Sequence, residues 1–159
     1  MSEFTFFFTE KSPFSQWFAC SFTSDGVTFN CAEQFMMHGK AVLFGDADAA
    51  TKILAAAHPR QHKALGRKVK GFDDVVWKRE RLAIVKAGSR AKFTQNPELL
   101  AQLLATKGTV LVEASPYDRI WGIGLAATDP RALDRNTWRG QNLLGQVLTE
   151  LRDELASAG

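Results

Sequence analysis

The sequence predicts an α+β fold, mainly α-helical with a small antiparallel β-sheet. Apolar residues recur at helical spacing over long stretches, most plainly Leu144, Leu148, Leu151 and Leu155. Two short runs rich in aromatic and β-branched residues, 4–9 and 109–113, have the length of strands. Ser24-Asp25-Gly26 is a turn sequence between two further strand-like runs, 19–23 and 27–30, and so predicts a hairpin.

In chain order, Glu10-Lys11-Ser12-Pro13 ends the first strand. A loop with two aromatics, Phe14 and Trp17, follows, able either to plug the core or to wall a planar ligand. The hairpin leads into a helix opening at residue 31. Residues 48–57 are alanine-rich and helical. Pro59 starts another helix, which carries Arg60, His62, Lys63 and Arg67, with Lys68 and Lys70 just beyond, a pattern that usually marks a solvated face. His58 and His62 have the spacing of a metal pair, but Pro59 lies between them and no acid accompanies them, which argues against zinc.

Asp73-Asp74 precedes the longest helical pattern, 75–93, and Asn96-Pro97-Glu98 caps the next, which ends at Gly108. The strand at 109–113 runs into a loop dense in turn-formers, 115–124, and an irregular segment through 138–142 enters the last helix, 143–155. Residues 122–127 spell Gly-x-Gly-x-x-Ala, but that fingerprint must join a strand directly to a helix, and here it does not. With no repeats and no linker-like stretch, the whole chain, 1–159, reads as one domain.

Twenty Lys and Arg against seventeen Asp and Glu give a net charge of only +3, which does not demand an electrostatic grip on long nucleic acid. Only two cysteines occur, no window has the length of a membrane span, and the first residues do not resemble a secretory signal. The expectation is a cytoplasmic protein with reduced thiols and no membrane partner.

The stretch with the most chemistry is Cys31-Ala32-Glu33-Gln34-Phe35-Met36-Met37-His38-Gly39-Lys40. On a helix Glu33, Met36, Met37 and Lys40 share one stripe, so an acid and an amine are separated by two apolar side chains. A lysine held against methionines loses hydration, which favours a neutral, nucleophilic amine. A purely structural account of the same residues also stands. Asn30 is a good N-cap and Glu33 then sits where a capping box places its acid, while Lys40 suits the C-terminal end of a short helix.

Five blocks are similar in sequence and order to the NADAR family of YbiA-like N-glycosidases. They are Ser12-Pro13-Phe14-Ser15, the Cys31–Lys40 stretch, Trp77, the loop Tyr117-Asp118-Arg119-Ile120-Trp121-Gly122-Ile123-Gly124, and Gly140-Gln141-Asn142-Leu143-Leu144-Gly145. The resemblance implies a YbiA-like fold and hydrolysis of a ribose N-glycosidic bond. The family's substrates are phosphoribosyl-aminopyrimidine intermediates of riboflavin biosynthesis and ADP-ribose on guanine, as nucleoside or in nucleic acid. It also implies catalytic roles for Glu33 and Asp118, a Schiff-base role for Lys40 and an active-site role for Trp77. Gln16 and Ile123 depart from common family residues, and 125–138 is a longer insertion.

Cleaving a ribosyl C1′–N bond builds positive charge on the sugar, which carboxylates at Glu33 and Asp118 can stabilise while exchanging protons. Lys40 offers covalent capture of the anomeric carbon. Trp77 and Trp121 can stack a flat base, Arg119 and Arg139 can meet phosphate, and Gly122 and Gly124 admit close backbone approach, with Asn142 in the adjoining block. None of these roles requires a metal or cofactor. The alternative is a non-catalytic module that binds ADP-ribose or a related nucleotide.

Overall fold

The computed structural model describes residues 3–158 and divides into two compact units, one of residues 3–15 with 97–158 and one of Gln16–Asn96. The second unit carries the hairpin and four helices. Strands β2 (Phe22–Ser24) and β3 (Val27–Phe29) pair antiparallel, and the turn between them places Asp25 and Gly26 at φ 50° and 78°. Both central residues are left-handed, which is the turn whose twist matches a hairpin.

The hairpin's apolar face meets α1 (Ala32–Leu43) through Phe22, Phe29 and Phe35, with ring centroids 5.0 to 6.1 Å apart. Around α1 stand α2 (Ala47–Ala55), α3 (Pro59–Gly66) and α4 (Asp74–Thr94). Two glycines let this cluster close. A Cβ on Gly66 of α3 would overlap the Met37 sulfur of α1, and one on Gly88 of α4 would overlap the Phe35 ring.

The head of α1 differs from expectation. Its N-cap is Cys31 rather than Asn30, with Sγ accepting from the Gln34 amide at 3.4 Å. Gln34 reaches back past the cap, its Oε1 accepting from the amide of Asn30, the residue before it, at 2.8 Å. Its Nε2 donates to the Ile53 carbonyl at the end of α2 at 3.1 Å. His62 of α3 is fully buried, with Nε2 2.8 Å from the Ala56 carbonyl, which requires a proton there and leaves Nδ1 facing Cys31 Sγ at 3.6 Å. Burial pushes the Cys31 thiol up to about 11 and holds His62 below its ordinary value. His58, by contrast, caps α3, its Nδ1 accepting from the Arg60 amide. The two imidazoles thus serve the fold at separate points.

In the first unit, β1 (Phe4–Phe7) pairs in parallel with β4 (Val110–Glu113), Phe4 opposite Val110. This ladder joins the expected antiparallel hairpin as a second two-stranded element. Phe4, Val112, Ile123, Leu125 and Ala132 form its core, with Trp138 packed against it. The insertion at 125–138 holds two short 3₁₀ turns, Pro130–Leu133 and Arg135–Thr137, and is tied by the Trp138 indole donating to the Ala132 carbonyl at 2.8 Å. Helix α5 (Pro97–Leu104) leads towards β4, and α6 (Leu143–Ala158) packs on β4. Buried Arg152 of α6 donates from Nη1 to the carbonyls of Thr106 and Thr109 at 3.0 and 2.6 Å. No helix among the described residues is long and apolar enough to cross a membrane.

Gly88→Ala must displace the Phe35 ring or α4 itself, and it is expected to lower unfolding free energy by about 1–3 kcal/mol in urea titrations. His38 and His62 both have pKa values lowered by burial, so below about 6.5 the unfolded chain takes up protons that the native one refuses. Stability should therefore fall as pH drops from about 7.5 to about 5.5, read as a lower urea midpoint.

Candidate active site

Helix α1 presents Glu33, Met36, Met37 and Lys40 inward: the first three are buried and Lys40 is half-buried. With Cys31 as the cap, Glu33 stands at the second helical position rather than at the capping-box position expected from the sequence. Its backbone amide donates to the Gln16 carbonyl at 2.9 Å, which ties the start of α1 to the preceding loop. Gln16 is itself buried, and its Nε2 lies 3.8 Å from the Met36 sulfur.

Lys40 Nζ lies 5.5 Å from the Trp77 ring centroid and 4.7 Å from that of Phe72. Burial is the main cause that lowers its pKa from 10.5; Arg67 lowers it further and the Glu33 carboxylate opposes both. Glu33, Lys40 and Trp77, widely spaced in sequence, thus belong to one electrostatic neighbourhood on α1 and α4. Trp77 is only 8% exposed, so its indole forms a wall behind the amine. Phe72 and Arg67 are the additional residues here. Arg67 is legible in sequence only as one member of a basic run, and Phe72 only as an aromatic between a glycine and a helix cap.

The remaining expected residues lie in the first unit, on the loop that follows β4. Asp118 organises it: Oδ1 accepts from the amides of Ile120 and Trp121, both at 2.9 Å, and the Asp118 carbonyl accepts from the Gly124 amide. This leaves Oδ2 outside those bonds. A Cβ on Gly122 would come within 2.9 Å of the Glu113 carbonyl, and one on Gly124 within 3.1 Å of side-chain atoms of Arg119 and Arg139. The Arg139 amide donates to the Ile123 carbonyl at 2.9 Å and the Gln141 amide to that of Arg119 at 2.9 Å, so two passes of chain run side by side. Arg119 and Arg139 are exposed along these passes and Trp121 is half-buried.

Asn142 is 1% exposed and sits at φ 53°, accepting from the Glu113 amide at 3.0 Å and donating to the Leu111 carbonyl at 3.1 Å. Both ends of its amide therefore hold β4, a positioning role that a motif match does not distinguish from ligand contact. Among the described residues no group of three or more His, Cys, Asp or Glu is arranged to hold a metal.

Comparison with known proteins identifies the family. N-glycosidase R617 of Acanthamoeba polyphaga mimivirus is 43% identical over 146 residues, spanning 89% of this chain and 86% of R617. N-glycosidase YbiA of Escherichia coli (strain K12) is 31% identical over 143 residues, 90% of this chain and 81% of YbiA. The solved NMR structure of E. coli YbiA superposes with a TM-score of 0.81 at 28% identity, covering 99% of this chain and 88% of that one. The maize chloroplastic riboflavin biosynthesis protein PYRR is 34% identical over 112 residues, 68% of this chain but 16% of PYRR. The class thus defined is that of N-glycosyl hydrolases, and the protein is an enzyme. The NADAR domain matches residues 5–156, and the chain belongs to the NADAR family.

Direct titration of Lys40, by NMR of the reductively methylated amine, is expected to give a midpoint below 10.5. Replacing Arg67 by Gln removes a neighbouring cation and should move that midpoint upward.

Proposed function

We propose that this enzyme hydrolyses the N-glycosidic bond between a ribose and a planar base or amine. The substrates are ADP-ribosylated guanine, as nucleoside or in nucleic acid, and phosphoribosyl-aminopyrimidines of riboflavin biosynthesis. The observation that carries this reading is the pairing of a buried carboxylate, Glu33, with an amine of lowered pKa two turns along the same helix, Lys40. A maize relative named for riboflavin biosynthesis supports the second substrate class. The match of one family domain to residues 5–156 supports reading both units as a single domain. Two free cysteines suit a cytoplasmic setting.

In the direct route a carboxylate, for which Glu33 and Asp118 are the two candidates, protonates the departing nitrogen and then takes a proton from the attacking water, so that C1′–N is replaced by C1′–O. In the covalent route, the neutral Lys40 amine attacks C1′ and the base leaves with a proton. The ring oxygen becomes a hydroxyl as the C1′–N(Lys40) imine forms, and water then returns the free sugar and the amine. Trp77 backs the Lys40 amine. On the loop after β4, Arg119 and Arg139 can meet phosphate oxygens, Gly122 and Gly124 keep the intervening backbone accessible, and Trp121 can border a planar group. Asn142 acts by holding the loop that carries them.

Single-turnover assays on ADP-ribosyl-guanosine and a phosphoribosyl-aminopyrimidine test this. Glu33→Gln and Asp118→Asn should each lose about 10²–10⁴-fold in rate. Glu33→Gln leaves the Cys31 cap in place and should still fold, as read by circular dichroism. Borohydride trapping of a protein–sugar adduct in wild type but not in Lys40→Ala selects the covalent route. Wild-type protein that binds ADP-ribose yet releases no base or amine from either compound would instead be a nucleotide-binding module.

A further inference from the structure

We propose that Phe72 is the stacking wall for the planar leaving group, and hence the residue that sets preference on the base side of the bond; this rests on the N-glycosidase reading above.

The argument begins with accessibility. Two aromatic rings flank the Lys40 amine, at 4.7 Å for Phe72 and 5.5 Å for Trp77. Trp77 is 8% exposed and Phe72 is 46% exposed, so Phe72 is the ring of this pair that a ligand can reach. A half-exposed phenylalanine leaves apolar area in water, and here the chain holds it there from both sides. Before it, the Lys70 amide donates to Asp46 Oδ2 at 2.8 Å, and Gly71 takes a φ of +78°, where a Cβ would sit 3.3 Å from the Phe44 carbonyl oxygen. After it, Asp73 caps α4 by accepting from the amides of Val75 and Val76 at 2.9 and 3.3 Å. The ring itself leans edge-on against Phe44, with centroids 5.4 Å apart. Phe72 is therefore a fixed surface.

Its position selects what it can bind. An aromatic face favours a flat π-system, and the Lys40 amine next to the ring, with Arg67 close enough to that amine to lower its pKa, is suited to the sugar carbon rather than to an uncharged base. The amine that attacks C1′ and the ring that receives the base are then neighbours, as the two ends of one C1′–N bond are. A bicyclic purine covers more of the ring than a monocyclic aminopyrimidine, so loss of the ring should cost the purine substrate more.

Phe72→Leu keeps an apolar contact to Phe44 and removes the π-face, whereas Phe72→Trp restores one. With ADP-ribosyl-guanosine, Phe72→Leu is expected to raise KM about tenfold while leaving kcat within about threefold, the size of one lost base–aromatic stack. Phe72→Trp should return KM towards wild type. Ribose 5-phosphate, which carries no base, should inhibit all three proteins equally. An unchanged KM in Phe72→Leu, or an equal loss of affinity for ribose 5-phosphate, overturns the assignment. Guanosine binding measured by calorimetry separates this from the reading beneath it. If wild type turns over neither substrate, the N-glycosidase reading fails. Weaker guanosine binding in Phe72→Leu but not in Phe72→Trp then still supports the stacking wall, and equal binding in all three removes it.

Discussion

Three elements of the second unit, β3, α2 and α3, converge on the first turn of α1. Gln34 bonds the Asn30 amide after β3 and the Ile53 carbonyl of α2, while Cys31 caps the helix and faces His62 of α3, which in turn holds the Ala56 carbonyl. All of these residues except the exposed Asn30 are buried or half-buried, so the bonds among them spare the desolvation cost of a missing partner. The axial position and rotation of α1 follow from this network, and with them the direction in which Glu33 and Lys40 point.

The two sites of chemical interest are built by different means. On α1 the functional groups stand on a regular helix whose orientation is set by packing and by buried polar contacts. On the loop after β4 there is no helix to hold them, and the backbone is organised by its own bonds, by Asp118 Oδ1 and by the buried amide of Asn142. Burial lowers the affinity of Lys40 for its proton, and the neighbouring Arg67 acts in the same sense. Glu33 acts the other way, so the amine's charge state is a balance between a desolvating wall and a nearby carboxylate.

What could be read from the sequence is what is encoded locally. The hairpin turn at Asp25 and Gly26, the long helix over 75–93 and the leucine stripe of α6 each carry their own periodic or conformational mark, and each is found. The ladder of β1 with β4 has no local mark, because it pairs Phe4 with Val110 and its partner is set by the tertiary fold. The cap was misplaced by one residue because a thiol is a poor cap in isolation and becomes one here only with His62 and Gln34 around it. The α1 stripe was legible because helical spacing alone brings Glu33 and Lys40 to one face. Phe72 was not, since only the turn at Gly71 and the contact with Phe44 bring its ring beside the amine.

The contact at Gly88 gives α1 little compliance towards α4. The Met37 thioether that fills the space at Gly66 can change rotamer and absorb a displacement, whereas the Phe35 ring lies flush against the bare backbone of α4 and cannot. Groups that react must be held to within about 0.5 Å of a productive geometry to be effective. A methyl group added at Gly88 would shift the helix that carries Glu33 and Lys40, so a mutation that touches neither side chain can still detune both.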